Sequence, residues 1–356
     1  MHRTDELLIR AQEAASRLRP RAAAAEREGV ARAHLDELAV AGLYGVAGPE
    51  WATGAVPSAA AYRGVAEVLA GADGNTWFVW FQHHPVVKML AAGVNQELAR
   101  RWLPSLCTGT TQAGVAFSHL RSERVVMPAT RVHRGWRLSG AAPWCTGWGL
   151  IDLVLVGGTT DDGHVVFGLV PLQEGRGMAP GDPLELAAMG GTRTVVLHLD
   201  DYVVADDDVV LHAPVDQWSA ADAAAGANVQ PSTFGIAQAA LAELAGHDDA
   251  LAQALSSRLD GVRRQAYALA DHSPAGERID ERLDLRAEAL LLGIDATSAL
   301  VASVGGRAMT GGHPAQRWAR EAVFHLVFAQ TRAVRASTLA QLARVDRWHE
   351  ARAGDA

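Results

Sequence analysis

Lysine is almost missing from this chain. Of its 32 basic residues Lys88 is the single lysine and all the others are arginine. Set beside the abundance of alanine, that reads as GC-rich coding bias, so an isolated arginine carries little functional weight. A basic footprint is lacking too: 40 acidic residues give a formal net charge of −8, which excludes a nucleic-acid binder of the electrostatic kind. Cysteine is scarce. Cys107 and Cys145 stand far apart with no Cys-x-x-Cys, which argues against a disulfide framework or a Cys-based zinc site and fits a reducing cytoplasm. No apolar run reaches the roughly 18 residues of a membrane helix, and the charged N-terminus shows no apolar core of a signal peptide. The expectation is therefore a cytoplasmic protein whose partners include no nucleic acid and no membrane. Gly-x-Ser-x-Gly, the P-loop and Gly-x-Gly-x-x-Gly are all absent, which leaves nucleophilic hydrolysis, P-loop nucleotide hydrolysis and the common NAD site unsupported.

What is present is 356 residues, 49% hydrophobic and 20% charged. That is long enough to bury a core unaided and sized for two or three domains of about 150 residues each. The pattern changes twice. Up to about residue 110, apolar residues recur at three- and four-residue spacing between Gly and Pro joints, predicting helices over 59–70, 75–92 and 95–106. From 111 to about 212 the chain turns rich in Val, Thr, Trp and Gly, with short apolar runs at 153–156, 165–170 and 194–199 that read as strands. After Pro214 long Ala/Leu segments return, at 220–246, 248–270, 277–304 and 315–343. The fold class expected is α+β multidomain: an N-terminal α-helical domain (1–110), a middle antiparallel β-domain (111–213) and a C-terminal four-helix bundle (214–356).

The densest local signal is Trp136 to Gly149, Trp-Arg-Leu-Ser-Gly-Ala-Ala-Pro-Trp-Cys-Thr-Gly-Trp-Gly. Tryptophan, threonine and glycine suit a flat aromatic ligand: a ring to stack, a hydroxyl and backbone N–H groups to bond ring heteroatoms, and room for close approach. The competing reading is a β-turn packed with aromatic core. Gly305-Gly306-Arg307 could turn N–H groups and a guanidinium toward a phosphate, or could be a helix C-cap followed by a surface arginine. Adjacent His83 and His84 face different directions on a helix and make a poor metal pair, and no metal is expected. His119, His313 and His325 remain candidates for acid–base work.

In order along the chain, Leu35 to Glu50, Leu103 to His119, Trp136 to Gly147, Met189 to Val204, Gly235 to Leu241 and Gly305 to Glu321 resemble landmarks of the acyl-CoA dehydrogenase superfamily of flavoproteins, covering about Leu35 to Arg344. The resemblance implies a flavin cofactor, FAD with FMN as the alternative. It also implies that Trp144 and Thr146 contact the isoalloxazine ring and that Ala116, Phe117 and Ser118 end the first flavin-contacting strand. Gly305 and Gly306, with Arg307 beside them, would approach the adenine-dinucleotide part from a neighbouring subunit. Gln330 and Thr331 would follow the catalytic position. A homodimer or homotetramer acting on a small molecule, an acyl thioester or another small organic compound, is implied likewise.

The departures are specific. Counting from Pro314, the family's catalytic glutamate position holds Ala329. Alanine cannot take an α-proton, a step in which a positioned base contributes about 10²–10⁴-fold. The family's Thr-Glu-Pro-Gly-x-Gly-Ser-Asp stretch is replaced by Phe117 to Arg124, and Ala302 stands where a glutamine is expected. One reading is thus a flavin-dependent oxidoreductase with a relocated base, Asp222 or Glu321 or a histidine. Another is a flavin-dependent monooxygenase using reduced flavin and O₂, with His325 in proton transfer. A third is a non-catalytic paralogue.

Overall fold

In a computed structural model of the chain, residues 3–122 and 124–343 are described; Glu123 and the stretch from Arg344 on, where the resemblance ends, lie outside them. The chain opens with α1 (Arg3–Leu18), α2 (Ala22–Glu28), α3 (Arg32–Val40), the single turn α4 (Glu50–Thr53), α5 (Ala59–Ala72), α6 (Gly74–Ala92) and α7 (Gln96–Thr108). Their starts are written in the sequence. Ser58 accepts from Ala61 N, Asp73 from Asn75 N and Thr76 N, and Asn95 from Leu98 N. Each side chain satisfies donors that a helix start leaves unpaired. Helix α6 is apolar or aromatic on every side, the mark of a helix enclosed by its neighbours, and Trp77, Trp80, His83 and His84 are all buried.

Next come β1 (Ala113–Ala116), β2 (Ala129–Val132), β3 (Gly135–Cys145), β4 (Leu153–Thr159), β5 (His164–Pro171), β6 (Met178–Pro183), β7 (Val195–Ala205) and β8 (Val209–Pro214). They form two sheets of four strands, in orders β1-β4-β5-β8 and β2-β3-β7-β6. Pairing is antiparallel except between β1 and β4, where Ala113 lies opposite Leu153 and Ala116 opposite Val156 in parallel register. Val154, Val156 and Val166 of the first sheet pack with Leu138, Ala142, Leu197 and Leu199 of the second. The alternate residues of the first sheet, Ala113, Leu155, Phe167 and Leu169, pack against Val86, Leu90, Leu103 and Leu106 of α6 and α7. That alternation is the period-two consequence of a strand buried on both faces.

The last elements are α8 (Val215–Ala227), α9 (Pro231–Leu244), α10 (Asp249–His272), α11 (Ile279–Val304), α12 (Pro314–His325) and α13 (Arg332–Leu342). Two of the expected long helices are each broken in two. The first breaks before Pro231, whose ring cannot donate within a helix and favours its first turn. The last breaks at 326–331, where Ala329 takes φ +48° and Thr331 caps the new helix through Val334 N. By length and composition α11 could cross a membrane, yet it is the central helix of the bundle, packed against α9, α10, α12 and α13. The described residues divide between Ser219 and Ala220 into two compact units.

Candidate functional site

In the first unit the ends of β1 and β3 converge. A Cβ built on Gly114 would lie 2.6 Å from Ile151 Cδ1, 3.4 Å from the Thr146 carbonyl oxygen and 3.8 Å from Gln82 Cβ. Only glycine lets β1 pass so close to the turn that follows β3. Ala116 is core, and the Phe117 ring stands edge-on to Phe167 at 5.2 Å and to Trp218 at 6.4 Å. Their part is packing. At Ser118 the situation changes: its buried Oγ has no hydrogen-bond partner among the described residues, and neither has Nδ1 of the neighbouring His119. His119 Nε2–H donates to the Gly157 carbonyl at 2.9 Å, and burial holds the ring's pKa below its usual value. Orphaned buried polar atoms are rare and call for a water or a ligand.

Trp144 is 52% exposed although its neighbours Cys145 and Thr146 are buried. Thr146 Oγ1 lies 3.0 Å from Thr194 Oγ1, which lies 2.8 Å from Thr192 Oγ1, which donates to the Met189 carbonyl at 2.7 Å. An exposed indole on a strand end, a free serine hydroxyl and a glycine-made close approach fit one face of a planar ring system.

In the second unit the two stretches where the sequence placed a carboxylate base come together. A Cβ built on Gly226 would lie 3.0 Å from Thr331 Cγ2 and 3.9 Å from the Ala329 carbonyl oxygen. Asp222 is half-buried on the same helix, four residues earlier and therefore on the same face. Arg286 closes the junction. Its buried guanidinium donates to the Gly226 carbonyl and to those of Phe328 at 2.8 Å and Ala329 at 3.3 Å. Gln330 Nε2 donates to Leu326 O at 2.7 Å, and Thr331 Oγ1 serves as a helix cap.

His325 is 2% exposed. A carbonyl only accepts, so Nδ1–H donates to Glu321 O at 2.8 Å and Nε2 accepts from the Ser232 hydroxyl at 2.8 Å. Burial pushes its pKa down to about 4, so the ring is neutral. Glu321 is fully buried, 3.0 Å from Arg317 Nη1. Gly305 ends α11 with φ +71°, its N–H bonded to Val301 O, and leads into the short 3₁₀ turn Gly305–Met309. The glycine pair thus sits at the negative end of a long helix, where the dipole repels anions. Arg307 is exposed beside it, and a Cβ at Gly305 or Gly306 would meet nothing within 4 Å.

Residues 9–110 match the family model of the acyl-CoA dehydrogenase N-terminal domain. No curated protein matches the chain by sequence. Among solved structures, butyryl-CoA dehydrogenase from Megasphaera elsdenii superposes with a TM-score of 0.80 at 16% identity, covering 96% of this chain and 98% of that one. The chain has the acyl-CoA dehydrogenase fold. Other solved structures share this fold. Dibenzothiophene monooxygenase TdsC from Paenibacillus sp. A11-2 matches with a TM-score of 0.78 at 19% identity over 96% of this chain and 97% of that one. KijD3, solved with FMN and a dTDP-linked sugar, matches with a TM-score of 0.77 at 21% identity over 99% and 97%.

Arg286, Gly226 and the Thr192–Thr194 pair escaped the sequence reading. A signal existed for the first: Arg282 and Arg286 repeat at a four-residue interval, on the helix face that also carries Leu283, Leu290 and Gly293 to the interior. The threonines gave none, because a hydroxyl on a strand looks like any other strand residue.

Proposed function

We propose that this chain is a flavin-dependent oxidoreductase of the acyl-CoA dehydrogenase type, loaded with FAD or FMN, in which the base has moved from position 329 to Asp222. The observation that carries this is the shared face of Asp222 and Gly226 on α8, with Gly226 in contact range of Ala329 and Thr331. Trp144 and Ser118 would hold the ring system, the first by its exposed face and the second by its unused hydroxyl. Bound flavin would supply the two-electron acceptor. Asp222 would take the proton from a small substrate, an acyl thioester or another organic acid derivative. Glu321 is committed to Arg317 and His325 to Ser232, so both act as struts within the bundle. The open surroundings of Gly305, Gly306 and Arg307 suit a contact from a second copy in a homodimer or homotetramer. The cellular place we assign is the cytoplasm.

The experiment is a visible spectrum of the purified chain with added FAD or FMN, followed by anaerobic addition of an acyl-CoA panel. Binding with bleaching, and bleaching slowed at least about 100-fold in Asp222→Asn, is the expected result. A folded protein that takes up neither flavin would reduce the chain to a non-catalytic paralogue. The monooxygenase reading is favoured by one feature, the methyl group of Ala329 where a carboxylate would stand. Oxygen-dependent product with a supplied flavin reductase, together with no bleaching, would decide for it.

A further inference from the structure

Three buried hydroxyls fix one another's direction. Each threonine has a single proton to give. Thr192 gives its proton to the Met189 carbonyl, which can only accept. Thr192 Oγ1 must then accept at its 2.8 Å contact, so Thr194 is the donor there. Thr194 has no second proton, so at the 3.0 Å contact Thr146 is the donor. The order Thr146 → Thr194 → Thr192 → Met189 O is the only one that fills every bond. All three residues are buried, at 2%, 4% and 0% exposure, so no bulk water competes for the protons, and aligned bonds of this kind strengthen one another.

The consequence concerns what Thr146 can still do. Its proton is spent, and lone pairs are all it has left. Toward a ligand it is an acceptor only, although a threonine by itself could serve in either sense. Reduction of a flavin turns ring nitrogens that were acceptors into N–H donors. We infer that Thr146, polarised by Thr194 and Thr192, makes this a site that prefers reduced flavin to oxidised flavin. The inference rests on the flavin reading and on Thr146 facing the ring. It adds which redox form the site selects and names Thr192 and Thr194 as positioning residues that set the choice without touching the ligand. A site with this bias suits a protein that receives its flavin already reduced, and in a dehydrogenase it would raise the potential of the bound cofactor.

The test compares dissociation constants for oxidised and dithionite-reduced FMN and FAD, measured anaerobically on the full-length protein, with the potential of the bound flavin as a second readout. Wild type is expected to bind the reduced form about tenfold more tightly, which for a two-electron couple raises the potential by about 30 mV. Thr194→Val removes the acceptor for the Thr146 proton and frees that proton to face the ligand, so the preference should shrink or reverse. Thr194→Ser keeps the relay and should keep the preference. In a Thr146→Val background, Thr194→Val should leave the ratio unchanged, because the route to the ligand is gone. A wild-type ratio equal to that of Thr146→Val overturns the inference, and so does a ratio in Thr194→Val unchanged from wild type. Failure of wild type to bind either form would sink the flavin reading itself, a result distinct from binding both forms equally.

Discussion

Up to Ser219 the chain buries its basic side chains as imidazoles: His83, His84 and His119 are all enclosed. From Ala220 on it buries guanidiniums: Arg282, Arg286 and Arg317. The contrast follows from what each architecture leaves unpaired. A bundle made of many helices has many C-termini, and each ends in carbonyls with no partner. Arg282 gathers those of Leu269, Ser273 and Pro274 at 2.9–3.2 Å, and Arg286 those of Gly226, Phe328 and Ala329. The first unit has helix ends as well, but there buried rings meet strands: His119 Nε2–H donates to the Gly157 carbonyl of β4 at 2.9 Å. A neutral imidazole carries one donor and one acceptor, and His83 accepts from Ala113 N at 3.1 Å.

Acid should separate the two regions most sharply. Burial pushes the His83 pKa down to about 3, holds His84 well below its usual value and lowers His119, all from 6.5. The unfolded chain therefore binds protons that these rings refuse. For His83 the stability this permits is complete above about pH 6.5 and drains away toward pH 3, at about 1.4 kcal/mol for each pH unit crossed, and His84 and His119 act in the same direction. Protonating His83 would also break its bond to Ala113 N. His325, with a pKa of about 4, is the second unit's single counterpart among its described buried residues. Peptide-resolved hydrogen exchange between pH 7 and 4 should show α6 and β1 opening before α11. Simultaneous opening would break the comparison.

A mutation should test the bundle's side of it. In Arg317→Met the fully buried Glu321 loses its cation, and stranding a buried charge costs about 3–5 kcal/mol. Adding Glu321→Leu should restore most of that loss. Chemical denaturation of the three proteins measures it. A single-variant loss under about 1 kcal/mol would mean the carboxylate is held well enough by its other neighbours.

The same contrast explains what was legible in the sequence. Periodicity and Gly/Pro joints placed α5, α6 and α7 to within a few residues; the caps Ser58, Asp73 and Asn95, not used in that reading, fix where each begins. The layered order of helices, sheets and bundle came through with the family landmarks. Two breaks did not: Pro231 lay within an alanine-rich pattern, and the 326–331 turn carries neither Gly nor Pro. That turn exists because Arg286 binds its carbonyls, a contact from 42 residues away. For the candidate site, Trp144 and Ser118 were readable one by one as aromatic and hydroxyl groups. The direction of the Thr146 proton was not, since it depends on three hydroxyls meeting across strands. His325 reads differently in the two: the sequence made it a candidate for proton transfer, and in the structure Ser232 and the Glu321 carbonyl meet both of its nitrogens.

Glycine replacements should divide the units with opposite signs. At Gly114 an added methyl meets Ile151 and the Thr146 carbonyl, so Gly114→Ala is expected to cost about 1–3 kcal/mol and to weaken flavin binding. At Gly293, in the middle of α11, the nearest atom to a new Cβ is Thr233 Cγ2 at 3.8 Å. Alanine there gains helix propensity and should stabilise by about 0.5–1 kcal/mol. Thermal melts of the two variants give the signs directly, and a shared sign would show that space around the glycine is not what decides.

The smallest expected effect lies at Ala329, where two terms oppose each other. Its φ of +48° is a left-handed conformation that costs a residue with a Cβ about 1 kcal/mol, and Ala329→Gly removes that cost. The same change loosens the unfolded chain, which costs about 0.4–1 kcal/mol. The difference should be a net gain of about 0.5 kcal/mol or less, visible as a small rise in denaturation midpoint. The turn itself should not move, because Arg286 grips the carbonyls of 328 and 329 rather than any side chain. In an Arg286→Lys background that grip is weaker. Alanine could then relax out of the left-handed region, and the benefit of glycine should vanish. If glycine helps equally in both backgrounds, the turn is held by something other than the arginine, and the bundle's reliance on buried guanidiniums is weaker than its geometry implies.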